Sequence, residues 1–184
     1  MRSRLLICLC AAVLAGCQSW LMPPRSVRPL AAPLTERHHV EHLLEIDWDQ
    51  QSQRLHCVLI TAEGETRVVA LTETGLPVFQ LLQTPGNIEI NRSPLLPRPV
   101  SPDIILADIQ LIFWPIDSLR KTLSPPWRLE QHAGSRDLYE GEVLRAHVDY
   151  QGKERWSSPA TLDNKQYGYR LTVTPLPDAT GAAP

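Results

Sequence analysis

Two trains of period-two segments, interrupted once by an eleven-residue stretch from Ile104 to Trp114 that is apolar on nearly every side, constrain this chain most. In the first train Val40, His42, Leu44, Ile46 and Trp48 fall on one face of a strand and Glu41, Glu45 and Asp47 on the other. Leu55 to Thr61 and Arg67 to Thr72 follow, joined through Glu63-Gly64-Glu65 as a hairpin. Val78 to Gln83 and Ile88 to Asn91 continue the meander across Thr84-Pro85-Gly86-Asn87, whose composition suits a turn.

The interruption opens on Ser101-Pro102-Asp103, an N-cap residue, a proline at the first helical position and an early acid. Only Asp108 and Gln110 are polar between Ile104 and Trp114, and Pro115 breaks or restarts the helix. A second short helix carries Ile116, Leu119 and Leu123 and ends at Pro125 and Pro126. Trp127 to Gln131, Asp137 to Glu140, Glu142 to Tyr150, Lys153 to Trp156 and Tyr167 to Thr174 read as further strands. Strands, helices and strands in that order predict an α+β domain, a curved antiparallel sheet forming an open half-barrel covered by one or two apolar helices. An all-round apolar helix contacts the sheet and something else apolar; it serves either as a lid or as an ordinary core helix.

Before this domain, Arg2 and Arg4 precede an uncharged apolar run from Leu5 to Leu14, shorter than the ~20 residues a spanning helix needs. Residues 1–16 are expected to be a signal peptide. The run closes on Leu14-Ala15-Gly16-Cys17, a lipobox pattern, so Cys17 is expected to become the acylated first residue of the mature chain. Two or three acyl chains anchor stably where one is marginal. Gln18 is not the aspartate that retains lipoproteins at the inner membrane, which favours the periplasmic face of the outer membrane. Pro23, Pro24, Pro29 and Pro33 mark residues 17–37 as a proline-rich tether, 38–175 as one domain and 176–184 as a loose tail.

Two of the 18 basic residues and none of the 20 acidic ones lie in residues 1–16, leaving 16 against 20 and a formal charge of −4 on the mature chain. Nothing in that balance points to nucleic acid. Of four cysteines, Cys57 alone is left without a lipid or a place in the leader, so no disulfide is expected, and its position between Leu55 and Leu59 predicts a buried thiol.

His38, His39 and His42 lack a convergent fourth ligand, since at strand spacing His39 points away from the other two; no metal is expected there. Ser118-Leu119-Arg120-Lys121 has the S-x-x-K spacing of penicillin-binding enzymes without its companion motifs. With no G-x-S-x-G, P-loop or G-x-G-x-x-G, neither catalysis nor a cofactor is expected.

Arg92-Ser93-Pro94-Leu95-Leu96-Pro97, Ile105-Leu106-Ala107-Asp108-Ile109-Gln110-Leu111, Phe113-Trp114-Pro115 and Gln166-Tyr167-Gly168-Tyr169 together resemble the small proteobacterial lipoproteins of the domain-of-unknown-function 3261 family, over most of the chain from about Leu43 to Thr174. That resemblance implies no activity. It implies a setting, since such proteins are often encoded beside aryl-polyene pigment and lipid-synthesis genes. The architecture is also similar to the LolA/LolB fold, a half-barrel closed by helices that holds acyl chains. By that likeness Leu76, in Thr74-Gly75-Leu76-Pro77, matches the exposed leucine with which LolB touches the membrane.

Two readings follow. In the first, an anchored carrier or acceptor shields an acyl or polyene-lipid chain between sheet and helices, lined by Trp48, Leu59, Phe79, Ile105, Ile109, Ile112, Phe113 and Trp114. In the second, a non-catalytic accessory lipoprotein scaffolds an envelope export complex around a filled core. Besides the membrane, an export or carrier protein is the expected partner.

Overall fold

A computed structural model describes residues 27–96 and 101–177. The expected leader, the acylation site at Cys17 and residues 178–184 of the tail lie outside the described residues. No helix among the described residues is long and apolar enough to cross a membrane.

Ten strands form one sheet: β1 (His38–Trp48), β2 (Gln51–Ala62), β3 (Glu65–Leu71), β4 (Pro77–Thr84), β5 (Asn87–Arg92), β6 (Trp127–Gln131), β7 (Ser135–Glu140), β8 (Val143–Tyr150), β9 (Ala160–Asn164) and β10 (Tyr169–Pro175). Helices α1 (Pro102–Phe113) and α2 (Ile116–Thr122) stand between β5 and β6. The strand order is β5-β4-β3-β2-β1-β10-β9-β8-β7-β6, antiparallel throughout. The two edge strands do not pair, so the sheet curves without closing, and the helices carry the chain from one edge to the other across its inner face.

Period two places the core. Leu44, Ile46, Leu55, Cys57, Leu59, Val68, Ala70, Leu81, Leu162, Leu171 and Val173 alternate inward and are buried. The registers agree, with Leu44 opposite Leu55, Leu59 opposite Val68 and Val68 opposite Leu81. The inner and outer faces of β1 are those its alternation predicts.

Helix α1 begins where its proline requires. Ser101 is extended (φ −111°, ψ 135°) and Pro102 supplies the first turn, although the Ser101 hydroxyl bonds the Asp103 carboxylate rather than a backbone N–H. Ten of its twelve residues are buried, because the sheet covers one side and other parts of the chain cover the rest.

Two expectations are corrected. Lys153 to Trp156 is not a strand; it lies in the loop between β8 and β9, where Trp156 stacks on His38 at 3.9 Å and on Phe113 at 4.9 Å. The strand in that region is β9, whose Ala160, Leu162 and Asn164 face inward while Thr161 and Asp163 face out. With only two apolar residues, it carries a weak alternation signal. The tether boundary at residue 37 also moves. Residues 27–36, inside the expected tether, pack against the domain and bury Ala31 and Leu34.

Candidate functional site: an interior closed by an N-terminal strap

Residues 27–36 form an extended strap along α1. Pro29 and Pro33 fix the backbone and lack donors, which suits the strap to an isolated extended course better than to a sheet position. Its polar backbone groups therefore need side-chain partners, and the two polar residues of α1 are where those partners come from.

Ala31 N–H donates to Gln110 Oε1 at 2.8 Å, and Gln110 Nε2 donates to Ala31 O at 3.0 Å. Gln83 Nε2 also donates to Ala31 O at 2.8 Å, and Gln110 Nε2 reaches Gln83 Oε1 at 2.9 Å. Trp114 Nε1 donates to Ala32 O at 3.0 Å. Two residues before Gln110 on the helix, buried Asp108 accepts from Arg28 Nη2 at 2.7 Å and Asn164 Nδ2 at 2.8 Å, and Tyr169 donates its hydroxyl to the same carboxylate. Burial and that adjacent negative charge hold the Tyr169 phenol well above its usual pKa, so it stays a donor. At the far end of the strap, Leu34 O and Thr35 O accept from Gly64 N and Glu63 N at 3.2 Å each.

The C-terminus of α1 is closed by a cation from the sheet. Arg136 Nη1 donates to Leu111 O at 2.7 Å and Trp114 O at 2.9 Å, and Tyr150 OH donates to Ile112 O at 2.7 Å. A buried guanidinium is tolerated here because the exposed carbonyls at a helix end carry partial negative charge. Burial lowers its pKa to about 10, leaving it charged at neutral pH. Nothing in the isolated sequence marks Arg136 for this role, whereas Asp108 and Gln110 stand out as the polar exceptions in an apolar helix.

Leu59, Phe79, Ile105, Ile109, Ile112, Phe113 and Trp114, seven of the expected ligand-lining residues, pack against one another in a filled core. The eighth, Trp48, is half-buried and borders an open groove at the β1–β2 and β9–β10 turns. Two small spaces lie beneath the strap. A cavity of about 40 Å³ is lined by Val27, Leu30, Ile104, Ala107, Leu138 and Tyr167 among others, and one of about 10 Å³ lies between Pro29, Ala31 and the two helices. An engineered cavity of ~150 Å³ takes up a benzene molecule, so these spaces admit no chain while the strap is seated.

The registers put the β1–β2, β3–β4, β7–β8 and β9–β10 turns at one end of the sheet, and the strap enters there, with Val27 and Arg28 beside Gln166 and Tyr167. At that end stand Val27 (75 % exposed), Leu76 (54 %), Val143 (52 %) and Leu95 (48 %). Leu76 tops a turn in which Gly75 adopts φ +82° and Leu76 N–H donates to Thr72 Oγ1 at 3.0 Å.

Cys57 is buried among apolar neighbours, which pushes its thiol pKa up to about 12 and leaves it without thiolate character. His38 and His42 share the inner face of β1 and His39 faces out, so the three do not converge.

Sheet, helices and strap define an α+β half-barrel domain whose interior is occupied by its own chain. It belongs to the DUF3261 family, described as a protein of unknown function, whose model matches residues 39–177 and leaves the strap outside the matched span. No curated protein matches the chain.

Proposed function

We propose that this is a lipoprotein anchored through Cys17 at the periplasmic face of the outer membrane, which accepts one acyl or polyene-lipid chain in the space its strap occupies. The observation that carries this reading is the strap itself, an extended segment lying beside an apolar helix without joining the sheet. At ~3.3 Å per residue, the stretch from Val27 to Leu34 spans up to ~26 Å, more than the ~15 Å depth of one leaflet's hydrocarbon. A chain replacing it would meet Leu30's neighbours Ile104, Ala107 and Leu138. It would leave Gln110 and Gln83 bonded to each other.

Loading starts at the end bearing Val27, Leu76, Leu95 and Val143, where Leu76 touches the bilayer. The leash from Cys17 to residue 26 reaches at most ~33 Å from the lipid. The protein is not an enzyme; its partner is an export or carrier protein that delivers the cargo.

The filled core favours a second reading, an accessory scaffold of an envelope lipid or pigment export complex that binds no chain. One titration separates them. With the fluorescent polyene cis-parinaric acid as probe, the carrier reading expects saturable binding that Gln110→Leu tightens about tenfold, by weakening the strap. If neither form binds the probe, the carrier reading fails and the scaffold reading stands.

A further inference from the structure

The outer face of the second half of the sheet holds a cluster for which the carrier reading has no use. Glu130 of β6 lies directly opposite Asp137 of β7, and Asp137 lies directly opposite His147 of β8. His132 follows Glu130 by two residues and sits over the same hairpin. His132 Nε2 is 3.1 Å from Asp137 Oδ2 and 3.9 Å from Glu130 Oε2. His147 Nδ1 is 2.6 Å from Asp137 Oδ1, and its Nε2 is 3.1 Å from Asp149 Oδ2.

Two acids facing each other across a strand pair repel. Among the described residues Asp137 has histidines and no lysine or arginine as ion-pair partner. Arg128 pairs with Glu130 through the carboxylate oxygen turned away from His132, and Arg136, next to Asp137 in sequence, points to the other face to close α1. Asp137 is thus held against Glu130 with no arginine or lysine of its own, and His132 Nε2 faces both carboxylates.

We propose that Glu130, His132 and Asp137 bind one divalent ion of the zinc class. Ligand atoms of these three residues lie within 4.8 Å of one another. Donors at ~2.0–2.1 Å on a tetrahedral ion stand about 3.3 Å apart, so the 3.1 Å His132–Asp137 pair fits as it stands, and Glu130, 3.9 Å from His132 and within 4.8 Å of both, has to swing inward. One imidazole with two carboxylates suits zinc, whereas magnesium and calcium take oxygen ligands. The fourth position falls to water. His147 is a positioning residue: its N–H holds the far oxygen of Asp137 and turns the near one to the ion.

The test is calorimetric titration of the full chain in detergent, freed of metal by chelator, with zinc chloride alone. The expected result is one saturable site that also raises the melting temperature. His132→Ala should weaken binding at least tenfold and abolish the thermal shift, His132→Cys should recover most of the affinity, and His147→Ala should cost about tenfold. His56→Ala, which removes a histidine paired with Glu41 on the other half of the sheet, should leave the titration unchanged. Absence of saturable binding overturns the proposal, as does equal zinc affinity in the parent chain and His132→Ala.

Discussion

His42 shows how a strand's inner face sets a proton equilibrium. It is 2 % exposed, its Nε2 has no partner, its ring lies 4.9 Å from Phe113, and burial lowers its pKa to about 4 against a smaller opposing effect of the Trp156 backbone. The unfolded chain takes up that proton near pH 6.5, and the native state does so only near pH 4. As pH falls through this window the unfolded state binds the extra proton, and stability is lost by up to about 3 kcal/mol. His147 works in the opposite sense. Its bond to Asp137 raises its pKa, so its contribution is complete below about pH 6.5 and is lost as pH rises through the folded value. Urea unfolding of His42→Leu between pH 7 and 4.5 should therefore show a flatter pH dependence than the parent, with stability at pH 7 changed by less than about 1.5 kcal/mol.

At the scale of elements, α1 and the strap depend on each other. Gln110→Leu removes three hydrogen bonds and strands the Ala31 N–H, at a cost of about 2–3 kcal/mol. Because β1 continues from the strap through sheet pairing that Gln110 does not touch, the loss should appear as local opening. Limited proteolysis should cut residues 27–36 several times faster in Gln110→Leu, while the denaturant midpoint of the sheet moves far less. Helix α1 and most strands are legible from periodicity, proline and turn chemistry alone, to within a residue or two. The strap is not. Four prolines in a short polar-apolar mixture read as a linker, and its docking depends on Gln83 and Gln110, which lie 52 and 79 residues from Ala31. β9 and the Trp156 loop were obscured for a related reason, since one has too few apolar residues to alternate visibly and the other mimics alternation while its tryptophan fills the aromatic stack.

For the whole molecule, the end at which the strap enters is the surface to test. Leu76→Asp with Leu95→Asp should leave folding stability within about 0.5 kcal/mol per site, because both side chains are exposed. In a Cys17→Ser chain, which cannot be acylated, the same pair should lower association with phospholipid vesicles by tenfold or more, since each leucine withdrawn from water is worth ~1.5–3 kcal/mol. Co-sedimentation measures both. Equal sedimentation of the two forms removes the membrane role assigned to Leu76.

By itself the sequence determined the alternation that builds the sheet, the helix start at Pro102, the buried inertness of Cys57 and the placement of His39 away from His38 and His42, because each follows from local periodicity or backbone chemistry. Leu76 came from the likeness to LolB rather than from the residues themselves, which place it in a turn without deciding its exposure. Only the tertiary structure decided that the interior is filled, that residues 27–36 belong to the domain, that Arg136 closes α1, and that Glu130, His132 and Asp137 meet on the outer face. Each of these joins residues through strand register or helix packing, and curvature decides which inward side chains meet; neither is encoded within a window of sequence short enough to read.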